Sequence, residues 1–328
     1  MNKIMYFLRM RSVVLIIVLL ALIAVGLCVK SSFLSILITM ITYCIYALAY
    51  DLLLGYANQP SLGQSLFFGL GAYGMVLPII YWHFGFWGSL GVALVVGAAG
   101  GLLVGFVAVR LTEAYHVIFT AVIASVMLLL ANNYTPITGG SGGLSFQVAP
   151  FFSGWIKLTV YSIAANYFLV LAFGVAVFLL LTRLVSSPLG KVWVAIRENE
   201  QRVVSLGYNV YWYKLAAFVA ASMLTALAGA LYVISLRYVS ADCFDFQWSV
   251  LPFVWVLIGG IGTLIGPIIG VVLFTLFQFY VSDWWSHYLI LFGVLILVIL
   301  RWAPQGIMGY YENIRTNKIL KGGGEHAS

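Results

Sequence analysis

Uncharged polar side chains gather at two places in a sequence that is otherwise strongly apolar. The first group follows an early apolar run and comprises Asn58, Gln59, Ser61 and Gln64. The second group, Asn132 and Asn133, ends another apolar run and precedes the glycine-rich stretch 138–143. Such amides and hydroxyls could hydrogen-bond a small polar solute without the desolvation cost of a charge. They are equally typical of helix caps and turns, and the sequence leaves both interpretations open.

Residues that could carry enzymatic or metal chemistry are scattered. The histidines form no H-E-x-x-H motif and lie at positions 83, 116, 287 and 326. Cys28, Cys44 and Cys243 lack zinc or redox spacing, and no phosphate-binding G-x-x-x-x-G-K-[ST] motif occurs. The carboxylates of Asp51 and Asp283 fall at predicted span ends, where they would reach water. We therefore expect no metal site and no nucleotide site in this chain, and the pattern disfavours an enzyme or a proton-coupled carrier.

The composition indicates which elements must position these side chains. Hydrophobic residues make up 63% of the 328 positions and charged residues only 8%, against about 45–50% and 25% in soluble domains. Lipid must therefore solvate most of the chain. The net charge of +7 resides in short gaps between apolar runs, which indicates cytoplasmic loops rather than a nucleic-acid partner.

The apolar runs predict an all-α, polytopic transmembrane protein, because a spanning helix needs about 20 apolar residues. Ten spans are predicted, at 12–29, 32–50, 62–82, 86–110, 115–134, 162–184, 213–235, 248–262, 266–282 and 286–303. The first span resembles a signal peptide, but no A-x-A cleavage site follows it. We expect it to be retained, with cleavage as the alternative.

The basic residues predict the orientation of these spans. Lys3, Arg9 and Arg11 precede the first span, and a second basic group lies between 183 and 214. The tail after 300 is basic as well, and Arg110 follows the fourth span. Ten spans place all of these positive charges on the cytoplasmic side, together with both termini. The stretches 135–161 and 236–247 then face outward.

Glycines mark the third and eighth predicted spans. The third contains several glycines and Pro78, and the eighth ends in GGIGTLIGP at 259–267. The glycines expected to be structural are Gly63, Gly71, Gly259, Gly260 and Gly262. Interrupted segments at matching places in two halves suggest a 5+5 inverted repeat. Close helix packing through small residues is the alternative explanation.

The longest cytoplasmic segment, 186–213, has an amphipathic pattern. Apolar residues recur at helical spacing over 192–206, and charged residues occupy much of the opposite face. Gly207 follows at a suitable C-cap position. The pattern predicts one short helix, which is either a connector lying on the lipid surface or a docking element for a cytoplasmic partner.

Four motifs in this order resemble those of the branched-chain amino acid ABC transporter permeases. They are YDLLLGYANQPSLGQ at 50–64 with GLGAY at 69–73, TGGSGGL at 138–144, SPLG at 187–190 leading to RENE at 197–200 and KLAAF at 214–218, and GGIGTLIGPIIG at 259–270. The resemblance covers about 33–309. The additional N-terminal span is similar to the LivM-type subunit rather than its LivH-type partner.

The resemblance implies a single permease domain over 1–328, in a bacterial plasma (inner) membrane. It implies a sister permease of LivH type, two cytoplasmic ATPases that bind the ATP, and an extracytoplasmic solute-binding protein. The ATPase-coupling residues would be Arg197, Glu198, Asn199, Glu200 and Gly207. The translocation-path candidates would be Asn58, Gln59, Ser61, Gln64, Asn132, Asn133 and Thr263.

Departures from the family pattern leave the solute open. Members usually carry glycine at the position of Asn58 and histidine at that of Gln64, and a polar residue inside the sequence SGG at 141–143. Branched-chain amino acids are the first expectation. Urea, short amides and aromatic acids, carried by permeases of the same family, are alternatives, and a secondary carrier or channel is a remote one.

Overall fold

The computed structural model describes residues 22–26, 31–147, 163–282, 293, 301 and 306–309. The predicted spans at 12–29 and 286–303 lie outside these residues, apart from 22–26, 293 and 301. The described part of the chain is almost entirely helical, as the sequence predicts.

The helices are numbered here in chain order. They are α1 Ser31–Asp51, α2 Gln64–Trp82, α3 Phe86–Ala108, α4 Glu113–Asn133, α5 Thr135–Thr138, α6 Ile163–Ser186, α7 Pro188–Glu198, α8 Glu200–Ser205, α9 Val210–Leu236, α10 Phe246–Gly259 and α11 Ile265–Ser282. A π-helical turn, Leu52–Tyr56, extends α1, and short 3₁₀ turns span Gly140–Gly142 and Ala241–Phe244. Two short strands, β1 Leu144–Ser145 and β2 Tyr238–Val239, pair antiparallel.

Six of these helices are long and apolar enough to cross a membrane: α1 with its π turn, α2, α3, α4, α6 and α9. Helices α10 and α11 are apolar but shorter. The chain is therefore an all-α, polytopic membrane protein. At 14 residues, α10 is about 21 Å long, less than the roughly 30 Å of a bilayer hydrocarbon core.

Helix α9 lies at the centre of the bundle. It packs most extensively against α3 and α2, and also against α1. Most residues of α9 and α2 are buried, whereas only a minority of the residues of α3, α4 and α6 are. The apolar side chains left exposed, such as Leu103 and Ile118, suit contact with lipid or a neighbouring membrane subunit.

The third predicted span is continuous, contrary to the prediction of an interrupted helix. Pro78 lies inside α2 without ending it. Gly71 faces the backbone of Ala226 on α9 so closely that a Cβ would overlap it. The glycines of this span thus serve close helix packing, the alternative that the sequence left open.

The segments predicted to face outward meet on one side of the bundle. Strand β1 follows the 138–143 stretch and pairs with β2, which follows α9. The Tyr73 hydroxyl donates to the Thr138 carbonyl at 3.0 Å, and the Tyr238 hydroxyl to the Gly142 carbonyl at 3.1 Å. The contact agrees with the predicted orientation, which places both segments on the same face.

The amphipathic segment forms two helices rather than the single one predicted. Helix α7 begins at Pro188 after the cap residue Ser187 and ends at Glu198, because Asn199 adopts an extended backbone. The Asn199 side chain then caps α8 by accepting the Arg202 N–H at 2.9 Å. The sequence pattern does not reveal this break, because the apolar spacing is nearly continuous across it. Gly207, with φ +87°, follows α8.

Candidate transport and coupling site

The end of α1 and the loop after α10 meet at a buried carboxyl group. Asp51 is fully buried. One of its oxygens accepts the Gly262 N–H at 2.7 Å and the other accepts the Leu264 N–H at 3.3 Å. A side chain early in the chain thereby holds the backbone of a loop more than 200 positions later. We call this contact region, formed by residues 51–63 and 259–266, the junction.

Asp51 corrects an expectation from the sequence. Its place at a predicted span end suggested a water-exposed carboxylate, whereas the structure buries it completely. The signal that could have revealed it is the run YALAYDLLLGY at 46–56. An ionisable side chain flanked by apolar residues on both sides is costly in a membrane and usually functional.

Arg197, at the end of α7, reaches the junction from the amphipathic segment 186–213. Its guanidinium donates to the Gly55 carbonyl in the π turn. The same group lies where a Cβ on Gly262 would project, so glycine at 262 leaves room for it. π turns inside helices are frequent at functional sites.

The backbone of the junction is strained on both sides. Leu264 and Asn58 adopt left-handed conformations with φ 52° and 50°, which side chains other than glycine and asparagine seldom do. The bond from Asp51 helps to hold Leu264 in this conformation. Asn58 stands where the family usually has glycine, and its positive φ explains why asparagine, the next most tolerant residue, is found there.

Beyond the junction, buried polar side chains connect three helices. The Thr225 hydroxyl on α9 donates to Gln64 Oε1 at 3.0 Å, at the first turn of α2. The Ser249 hydroxyl on α10 donates to Ser65 Oγ at 2.9 Å. Gln64 Nε2 is buried without a hydrogen-bond partner among the described residues. An unpaired amide in the protein interior is costly, so it is a plausible contact for a passing polar solute.

The predicted path residues are only partly brought together. Ser61 accepts hydrogen bonds from the Tyr50 hydroxyl and the Gly63 N–H; with Asn58 and Gln59 it belongs to the junction, and Gln64 follows at the start of α2. Asn132 and Asn133 end α4, about 24 Å along that helix from His116, at its outer end. The Asn133 amide there donates to the Leu129 carbonyl at 2.8 Å.

Thr263 and the predicted structural glycines serve the junction loop itself. The Thr263 hydroxyl donates to the Gly260 carbonyl at 2.9 Å and accepts the Gly266 N–H at 3.0 Å. Gly260 and Gly262 have φ of 122° and 74°. A Cβ on Gly259 would overlap the carbonyl of Gly266, and a Cβ on Gly63 would contact Thr120.

The charged residues predicted to couple the chain to an ATPase differ in their surroundings. Glu198 is exposed at the end of α7. Glu200 pairs with Lys214 at 2.7 Å, the single ion pair within the described part of the chain. The described residues contain no group of His, Cys, Asp or Glu side chains that could hold a metal ion.

Irregular backbone that is buried between incomplete helices, next to unpaired amides, is typical of membrane transport proteins. The fold and the junction therefore define the chain as a polytopic membrane protein with the features of a transporter. The sequence matches the family described as "Branched-chain amino acid transport system / permease component" over residues 32–300. The chain belongs to this family of transport-system permease components, which are transport subunits rather than enzymes.

Two similar proteins have names that agree with this family description. The high-affinity branched-chain amino acid transport system permease protein LivM of Salmonella typhimurium is 30% identical over 290 residues, covering 82% of this chain and 68% of the relative. The probable branched-chain amino acid transport permease protein LivM of Methanocaldococcus jannaschii is 26% identical over 316 residues, covering 81% of this chain and 90% of the relative. No solved structure matches the chain.

Proposed function

We propose that the chain is the membrane-spanning permease subunit of an ABC importer and that it translocates branched-chain amino acids. The observation that carries this proposal is the bond from Arg197, in the predicted ATPase-coupling segment, to Gly55 in the junction. It joins a cytoplasmic docking element directly to the discontinuous part of the membrane domain. The names of the relatives support the choice of solute.

The proposed assembly follows from the same family membership. The chain pairs with a LivH-type sister permease, and two cytoplasmic ATPases bind the ATP, while a solute-binding protein delivers the amino acid from outside. The chain acts as one permease domain of ten spans in a bacterial inner membrane. Its termini and the segment 186–213 are cytoplasmic, and its two halves are related as a 5+5 inverted repeat.

The junction provides a route for ATP-driven motion. When the ATPases close, they would displace α7, and Arg197 would transmit this displacement to Gly55 and the π turn. Asp51 ties the loop 260–264 to the end of α1, so this loop and the π turn would move as a unit. Gln59 and Gln64 lie three and eight positions after the π turn, so its displacement would expose or cover their amides as the path opens and closes.

A charge reversal on α7 tests the coupling role. Glu198→Lys alters an exposed side chain for which the structure shows no stabilising role, so insertion and folding should be unchanged. We expect the variant to lose ATP-dependent uptake and co-purification of the ATPases. Arg183→Glu, an exposed charge reversal at the end of α6 outside the coupling segment, is the matched control. Normal uptake by Glu198→Lys would contradict the assignment of α7 as the coupling element.

A further inference from the structure

A polar cavity opens beside the junction on the cytoplasmic side of the bundle. Its volume is about 330 Å³, which lies in the range of small-molecule sites. The polar and charged side chains that line it include Asn58, Gln59, Arg110, His116, Glu200 and Lys214. The cavity thus joins the π-turn side of the junction, the short helix α8 that follows α7, and the start of the central helix α9.

Two residues that line the cavity carry buried polar atoms that the protein itself leaves unpaired. His116 is 4% exposed and Gln59 is 5% exposed. His116 Nδ1 lies 2.9 Å from the Ala108 carbonyl, whereas its Nε2 has no hydrogen-bond partner among the described residues, nor do the two amide atoms of Gln59. Buried polar groups are nearly always paired, so unpaired atoms on residues beside a cavity mark a place where a ligand or water could complete their hydrogen bonds.

A fixed positive charge stands at the cavity wall. The Arg110 guanidinium lies over the rings of Phe106 and Tyr211, at 4.6 and 5.2 Å from their centroids. It has no carboxylate within ion-pair distance in the part of the chain that the structure describes. The two aromatic contacts hold the guanidinium in place, which lowers the entropic cost of binding an anion. Arginine is also the residue best shaped for a carboxylate.

The remaining charges suit a zwitterion. Glu200 and Lys214 form an ion pair at 2.7 Å, and the Glu200 side chain is 51% exposed, so its carboxylate can still receive an ammonium group. Pro60, Val109 and Leu111 supply apolar wall. A small amino acid could therefore place its carboxylate at Arg110, its ammonium near Glu200 and its side chain along this wall.

We propose that this cavity is a cytoplasmic-side binding site for a small carboxylate, which the imported amino acid fills, and that its occupation slows import. The identity of the ligand rests on the proposed function. The cavity is bounded by Asn58 and Gln59 of the junction and by Glu200 of the coupling segment. A ligand that bridges these groups would oppose the motion between them, so the site would report the cytoplasmic amino acid concentration to the transport cycle.

Binding by the complete transporter tests the proposal directly. The permease pair and the ATPases are placed in nanodiscs without the solute-binding protein, and binding of radiolabelled L-leucine is measured. We expect Arg110→Gln to raise the Kd by about tenfold or more, because a charge-assisted hydrogen bond is lost. Arg183→Gln removes an exposed charge from the same side of the bundle and should leave the Kd unchanged. An unchanged Kd in Arg110→Gln would overturn the proposal.

A second measurement needs no substitution of the charged groups. Thr112 lines the cavity, is exposed, and its side chain makes no capping hydrogen bond, so Thr112→Cys should be tolerated. We expect L-leucine and 4-methylpentanoate to slow alkylation of this cysteine by a charged thiol reagent, and isopentylamine, which lacks the carboxylate, not to. The proposal would be overturned if all three compounds slowed alkylation of this cysteine equally. It would also be overturned if the ATPases slowed alkylation and the compounds added no further protection.

The two proposals fail in different ways. The proposed cavity site alone is refuted if the wild-type complex imports leucine, does not bind it in the absence of the binding protein, and the Thr112→Cys complex shows no protection by leucine. A complex that imports no branched-chain amino acid refutes the proposed function, while protection by 4-methylpentanoate would still support a carboxylate site. Where both hold, leucine loaded inside vesicles should reduce the initial uptake rate in wild type and not in Arg110→Gln.

Discussion

The buried Asp51 provides the sharpest mechanical prediction. Its two carboxyl oxygens accept backbone N–H groups of Gly262 and Leu264 at 2.7 and 3.3 Å. Replacing Asp51 by alanine leaves both N–H groups unpaired, that of Leu264 in the buried interior and that of Gly262 in a half-buried position. Each such loss costs about 1–3 kcal/mol, so Asp51→Ala should lower the free energy of unfolding by about 2–6 kcal/mol. Asp51→Asn retains one acceptor oxygen and should cost roughly half as much.

Hydrogen exchange of the purified chain in detergent is the direct assay. The amides of residues 260–265 should exchange faster in both variants, while amides in the middle of α9 are unchanged unless the whole bundle opens. Thermal unfolding of the same samples gives the stability order wild type, Asp51→Asn, Asp51→Ala. Uptake by the reconstituted transporter should fall in the same order, because the loop no longer follows the end of α1.

Asp245 offers a matched control on the opposite side of the bundle. It is exposed and caps α10 by accepting the Gln247 N–H at 2.8 Å. Loss of an exposed cap costs about 0.5–2 kcal/mol, and Asp245→Asn, which keeps a capping oxygen, should cost little. Neither change touches residues 260–265. If Asp51→Ala matched the wild type in both stability and exchange at 260–265, the argument that Asp51 closes the junction would be refuted.

Three further predictions concern separate contacts. Arg197→Ala should abolish uptake while leaving membrane insertion intact, since it removes the bond to Gly55; Arg183→Ala is the control, and equal uptake by the two variants would contradict the coupling route. Gly71→Ala should destabilise the bundle by about 1–3 kcal/mol through overpacking against Ala226, whereas Gly91→Ala, with open space around it, should be tolerated in thermal unfolding. Burial raises the pKa of the Cys243 thiol from 9.0 to about 12, so the folded chain should resist maleimide at pH 7 and react after unfolding. Because the pKa is higher in the folded state than in the unfolded state, the thiol's contribution to stability should be lost as pH rises from about 9 to 12. Rapid labelling of the folded protein at pH 7 would contradict the burial of Cys243.

Much of the fold could be predicted from the sequence because lipid imposes a simple rule on helix length. The eight predicted spans from 32–50 to 266–282 agree with the described helices within three residues at each end. The spans at 12–29 and 286–303, the total of ten and the inverted repeat stay predictions. The glycines of the third span left two interpretations open, since a glycine that permits close packing and a glycine that ends a helix look alike in one sequence.

The candidate site was less predictable, because its contacts join distant parts of the chain. Polarity alone singles out Asn58, Gln59, Ser61 and Gln64; the structure places the first three in the junction and Gln64 at the first turn of α2, next to it. No local pattern could pair Asp51 with Gly262, or place Arg110 beside His116 and Gln59. Asn58 is a further example. Its difference from the glycine usual in the family suggested a different solute, whereas its left-handed backbone, with φ 50°, accounts for asparagine at this position.

Reconstituted uptake tests the central claim most directly. Proteoliposomes that contain this chain, its LivH-type sister permease and the two ATPases would be supplied with the solute-binding protein outside, ATP inside and labelled L-leucine. The account predicts accumulation of leucine that requires ATP, the binding protein and this chain, and that stops in Glu198→Lys. Leucine uptake by this chain alone, driven by an ion gradient without ATP, would contradict it.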